Sequence, residues 1–199
     1  MRSKTTLTVT ILSGVAALAL AGCNNNPGGT AGPTTGASTT TATSSADTVS
    51  NPLDTTKLQQ NLCGGLTPAQ LAPYMGQVRT TSPVNQSDYA GCDLLPADSG
   101  MATVSINVYP NLGPSAMIAS NGNFPYAKNI APIEGYTARN TGLKNPPNGE
   151  CSTSAAVSSH ATVEVSVQWA DKSSQYYNNP CTVSDALTPL LLDNIKASR

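Results

Sequence analysis

The side chains able to serve as acid, base or metal ligand near neutral pH are few. The chain of 199 residues holds one histidine, five cysteines and 11 acidic residues. A Ser-His-acid triad needs an imidazole, and the only one, His160, follows Ser158-Ser159 in a short turn-forming cluster, where a solvated turn residue is the ordinary reading. No G-x-S-x-G elbow, H-E-x-x-H pair, P-loop or dinucleotide fingerprint occurs, so hydrolase, zincin, NTPase and dehydrogenase readings lack support. Carboxylates at Asp93, Asp98, Glu134, Glu150 and Glu164 could pair as they do in glycosidases, yet nothing in their spacing sets the required separation. Solvated surface acids are the plainer account. The aromatic residues Phe124, Tyr126, Tyr136, Trp169, Tyr176 and Tyr177 are candidates for lining a groove between sheet and helices, because aromatic rings supply contact area at low entropic cost. Trp169 also fits as the end of the core face of its strand. No catalytic residue, metal or cofactor is expected.

The first 23 residues carry a different kind of chemistry. Arg2 and Lys4 form a short positive region, followed over residues 7–20 by an apolar run of 14 residues, the length of a signal-peptide core and too short for a membrane span of about 20. Leu20-Ala21-Gly22-Cys23 then resembles the lipobox of bacterial lipoproteins. The resemblance implies that the Cys23 thiol receives a diacylglyceryl group, that the bond before it is cut, and that acyl chains such as palmitate hold the protein on the outer face of the cell membrane. Two chains give stable anchoring where one gives only reversible binding. Absence of an Arg-Arg pair favours the general secretory route. Removal of residues 1–22 takes away two basic residues and no acidic one, so the 10 basic residues fall to 8 against 11 acidic, a net charge of -3. Attraction to anionic lipid headgroups is not expected.

Once Cys23 is assigned to lipid, Cys63, Cys92, Cys151 and Cys181 remain as an even set in an oxidising compartment, open to three disulfide pairings. Pairing Cys63 with Cys92 would tie the first helix to the first strand; pairing Cys151 with Cys181 would tie a late strand to the last helix. No two of the four have C-x₂₋₄-C spacing, which argues against zinc.

The elements that must position any site come next. From residue 24 to about 51 the chain has one charge, Asp47, one sizeable apolar residue, Val49, and is otherwise Thr, Ser, Gly, Ala, Asn and Pro. Such a stretch cannot bury enough to offset its ordering entropy and reads as a flexible tether, whose hydroxyls would also suit O-glycosylation. The expected organisation is therefore a signal peptide over 1–22, a lipidated cysteine and tether over 23–53, and one extracytoplasmic domain over 54–199. Within it, 101–109 and 161–169 alternate apolar and polar residues with period two, the mark of half-buried strands. Weaker strands are expected at 91–95, 135–140 and 150–157. Short turn clusters at 96–100 and 158–160 should close antiparallel hairpins. Thr67-Pro68-Ala69-Gln70 reads as a capping box with proline at the first helical position, Leu66 and Leu71 forming a staple, and Pro73 keeping the helix short. Val183, Ala186, Leu187, Leu190, Leu191 and Ile195 make one apolar stripe of a C-terminal helix that Pro189 should bend, and a third short helix follows Pro114. The fold class is α+β: an antiparallel sheet, with one solvated or groove-forming face, packed by a short N-terminal and a longer C-terminal helix and closed by two disulfides.

Composition narrows the partners. Charged residues make up 11% of the chain against about 25% in typical soluble proteins, with a net charge of -1 and no basic run, so nucleic acid is not an expected partner. The pattern as a whole resembles small cell-envelope lipoproteins of mycobacterial and nocardial type, an actinobacterial group carrying a domain of unknown function. The matching features are Cys23, the Thr/Ser-rich tether, Cys63-Gly64-Gly65-Leu66-Thr67-Pro68-Ala69-Gln70-Leu71, Tyr89-Ala90-Gly91-Cys92, the strand with Cys151, and Asn179-Pro180-Cys181 before an Ala/Leu helix. One departure is Leu94, where the group often has an aromatic residue two positions after the second of these cysteines. The resemblance implies location and architecture, not activity. The expectation is a non-enzymatic module that binds an envelope ligand or partner protein; the alternative is an envelope hydrolase working through paired carboxylates.

Overall fold

The computed structural model describes residues 47–198. The candidate signal peptide, the lipobox residues Leu20, Ala21, Gly22 and Cys23, and the tether up to residue 46 lie outside the described residues. The chain runs through α1 (Thr56–Gln60), a 3-10 turn (Leu62–Gly64), α2 (Pro68–Met75), β1 (Val78–Asn85), β2 (Ala90–Pro96), β3 (Thr103–Tyr109), α3 (Pro114–Ala119), a second 3-10 turn (Ser120–Asn123), β4 (Tyr126–Ile133), β5 (Tyr136–Gly142), β6 (Glu150–Ala156), β7 (Thr162–Gln168) and α4 (Cys181–Ala197). The strands form one seven-stranded sheet in the order β1-β2-β3-β7-β6-β5-β4, with every pair antiparallel. Two meanders therefore meet where β3 pairs with β7. After β3 the chain crosses through α3 to the far edge and works back to the centre.

Both alternating segments become the central strands. On one face of the sheet Val104, Ile106 and Val108 of β3 and Val163, Val165 and Val167 of β7 are fully buried, in one core with Val183, Leu187 and Leu191 of α4. At about 25 cal/mol per Å² of apolar surface, each such side chain stabilises the fold by roughly 1.5 to 3 kcal/mol. The α2 start is built as the sequence predicts: Gln70 N donates to Thr67 Oγ1 at 3.3 Å and Thr67 N to Gln70 Oε1 at 2.8 Å, closing a capping box, with Leu66 and Leu71 both buried. The helix ends at Gly76, whose φ of 61° suits glycine. α4 continues through Pro189 over 17 residues. Its stripe is buried at Val183, Leu187, Leu191 and Ile195, and Ala186 and Leu190 are only partly so.

The disulfides are Cys63–Cys92, separated by 29 residues, and Cys151–Cys181, separated by 30. The first ties the turn before α2 to β2; the second ties β6 to the first residue of α4. Two edge strands escaped the sequence reading, and both escape for the same reason. β1 has no buried residue and contains Pro83, while β4 is exposed or half-buried throughout and contains Pro132. An edge strand that packs on neither face shows no period, and proline is tolerated there because one side of the strand has no ladder to complete. Packing also begins upstream of residue 54: Ser115 N donates to Asp47 Oδ1 at 2.9 Å, the Tyr136 hydroxyl donates to Asn51 O at 2.8 Å, and Leu53 N donates to Val157 O at 2.8 Å.

Candidate functional site

The second face of the sheet is polar, and strand register writes its chemistry. Side chains two apart along a strand share a face, so the residues that alternate with the core valines all point away from α4. Pairing aligns Asn129, Arg139, Ser154, Glu164, Asn107 and Gly91 in one row across β4, β5, β6, β7, β3 and β2. One step along, a second row consists of Thr141, Ser152, Ser166, Ser105 and Asp93. The first row carries charge and the second is nearly all hydroxyl.

Glu164, 8% exposed, is the hub. Its Oε1 accepts from Asn107 Nδ2 and from the Tyr109 hydroxyl, each at 3.2 Å, and its Oε2 accepts from Ser154 Oγ at 2.8 Å. Gly91 makes part of this possible, because a Cβ there would lie 2.2 Å from Asn107 Oδ1; the bare backbone leaves room for the amide to lean toward Glu164. Burial, and then the Glu164 charge, push the Tyr109 phenol above its ordinary range, holding it neutral as a donor.

Arg139, 3% exposed, stands two strands away in the same row. Its Nη1 donates to Met117 O at the end of α3, to Ser120 Oγ at 2.8 Å and to Asn121 Oδ1 at 2.9 Å, so the turn after α3 is clasped to the sheet. The Phe124 ring lies 5.5 Å from the guanidinium carbon, a cation–π contact. Burial lowers the Arg139 pKa from its usual value, and the Glu164 charge works against that. Arg139 Nε is buried and has no hydrogen-bond partner among the described residues, a costly condition for a charged donor. Arg139, Glu164, Tyr109 and Phe124 line one open cavity of about 360 Å³, bordered by Asp88 of the β1–β2 turn and by Asn111, Leu112 and Asn123 from the segments flanking α3. Its volume lies within the small-molecule range.

The other residues singled out from sequence are dispersed. Of the six aromatics, Phe124 alone lines this cavity. Trp169 and Tyr176 stack at 5.6 Å with Tyr74 beyond them at 5.9 Å, and Tyr177 lies against Gly149, all at the opposite end of the sheet. Tyr136 is buried in the core and Tyr126 starts the β4 edge. No common groove unites the six. Of the five carboxylates, Asp93 accepts from Ser105 Oγ at 2.6 Å, Asp98 caps the β2–β3 turn at Gly100 N, Glu134 pairs with Lys196, and Glu150 accepts from Leu143 N at 2.9 Å. Only Glu164 faces the cavity. His160 sits in the β6–β7 turn, its Nδ1 3.4 Å from Ser159 Oγ, and lines a separate hollow of about 380 Å³ with Asp54 and Gln59. Among the described residues no group of three or more His, Cys, Asp or Glu side chains could hold a metal ion, and no helix is long and apolar enough to cross a membrane.

Arg139, Tyr109, Asn107 and Ser154 escaped the sequence reading. The signal that could have found them is the parity of residues 161–169: Glu164 falls on the side opposite the valines, so whatever pairs with it must be polar too. No curated protein and no solved structure matches the chain. The family model of DUF3558, described as a protein of unknown function, matches residues 18–194, and the chain belongs to that family.

Proposed function

We propose that this protein is a lipid-anchored, extracytoplasmic lipoprotein of the actinobacterial cell envelope whose domain binds a small polar ligand without transforming it. The anchor rests on Leu20-Ala21-Gly22-Cys23 and the preceding apolar run. The binding role rests on the cavity of about 360 Å³ at Arg139 and Glu164, where two buried charged side chains stand beside the Phe124 and Tyr109 rings. The clasp of Arg139 on the α3 turn holds that wall in place before any ligand arrives, which reduces the ordering cost of binding.

Two measurements test this reading. Cys23→Ser should move the protein from membranes to the medium, and retention of that variant on membranes refutes the anchor. Native mass spectrometry of the membrane-extracted protein should reveal a non-covalent adduct that Phe124→Ala loses. An adduct-free spectrum, or one whose adduct survives that substitution, refutes the binding site, and release of a cleaved product would instead identify a hydrolase with Glu164 and Asp88 as its carboxylates.

A further inference from the structure

Resting on the binding reading above, we infer that the ligand is a carbohydrate chain, lying along β3 and β7 on the polar face of the sheet with one sugar ring seated in the Arg139–Glu164 cavity. The buried charges decide the first part. Arg139 and Glu164 are the buried ions at the cavity wall and offset one another, so a ligand with net charge would leave one charge uncompensated at low dielectric. The ligand must nevertheless donate to the carboxylate of Asp88 and exchange hydrogen bonds with the side-chain amides of Asn111 and Asn123, which both donate and accept. A hydroxyl group does both. Phe124 and Tyr109, the latter 5.2 Å from Tyr89, add aromatic surface to the same cavity, and aromatic rings want an apolar partner face. A pyranose ring joins a C–H face to a rim of hydroxyls and meets both demands while carrying no charge.

The second part comes from the row of small hydroxyls. Beyond Glu164 the next residues on this face are Ser105 and Ser166, half-buried and facing away from the core. Past them, Thr103 and Gln168 border another hollow of about 560 Å³ that Arg79 also lines. Cavity, serine row and hollow follow the same two strands. From Thr103 to Tyr109, at about 3.4 Å per residue, they cover roughly 20 Å, room for several linked rings. The packed helices α2 and α4 share the core with the opposite face, leaving this one to the ligand.

The test uses the full-length protein in detergent on an array of neutral oligosaccharides graded in length from a single ring upward. Binding should strengthen with chain length. Phe124→Ala should weaken it about tenfold, the worth of one aromatic contact, and Ser166→Leu, which puts bulk on the serine row between the two cavities, should abolish the gain from length while sparing the single ring. Thermal melts of both variants check that they remain folded. Failure to bind any sugar on the array, equal binding of short and long chains, or binding indifferent to both substitutions overturns the assignment. If native mass spectrometry meanwhile finds a non-carbohydrate adduct that Phe124→Ala removes, the sugar assignment falls and the binding site stands; if neither method finds a ligand, both fall.

Discussion

The two faces of the sheet are made by the same strands and differ in almost everything else. Toward α4, residues 104, 106, 108, 163, 165 and 167 are aliphatic and fully buried. On the reverse, the residues between them are Ser105, Asn107, Glu164 and Ser166, the first three joined to neighbours by side-chain hydrogen bonds. Apolar packing is non-directional and needs only volume. The polar face depends on each donor finding its acceptor, so it specifies geometry more tightly and tolerates less. One face holds the fold together, and the other holds a site in shape.

Introducing the same residue at two adjacent positions tests that contrast most sharply. Val165→Asn buries an unpaired amide in the aliphatic layer and should cost about 3 to 5 kcal/mol, whereas Ser166→Asn, one residue on and facing the polar side, should cost less than about 1 kcal/mol; urea unfolding measures both. Equal losses would mean that the faces are not energetically distinct. Replacing Cys151 and Cys181 together by serine should cost about 3 to 4 kcal/mol in the chain-entropy model, seen as a lower urea midpoint in the same assay. Gly91→Ala should push Asn107 off Glu164 and cost about 1 to 2 kcal/mol, a smaller effect on stability than on the site. Tyr109→Phe should cost about 1 kcal/mol near neutral pH. Its pH profile is more telling. Because the folded phenol titrates above the unfolded value of about 10, its contribution is fully present below that pH and is lost as the unfolded chain ionises above it. The variant should therefore lose stability less steeply than the wild type between about pH 9 and 11, as read by urea midpoints; parallel curves would show that the phenol is not held neutral by the fold.

The apolar face was readable in the sequence and the polar one was not. Period-two alternation announces β3 and β7, the capping box announces α2, and the valines tell which side is inward. Glu164 could be placed on the outward side by parity alone. Its companions could not, because Arg139 reaches the same row only through the register of β5 on β6 and of β6 on β7, which no local pattern encodes. β1 and β4 were silent because neither buries a face. Phe124 stands out in the sequence only as an aromatic, and its place in the site comes from Arg139, a residue 15 positions later in the chain.

The two disulfides enclose separate stretches of chain, 63–92 and 151–181, that neither overlap nor nest. A protease that severs the backbone inside either stretch leaves the pieces joined by sulfur. A cut at the exposed Gly122-Asn123 tip falls between the two stretches and frees two covalent halves, one carrying β1 to β3 and the other β4 to α4. They would remain mated only by non-covalent contacts, chief among them the β3–β7 ladder and the aliphatic layer beneath it, so denaturant without any reducing agent would part them. The covalent seams thus divide the molecule along the line where its two meanders meet.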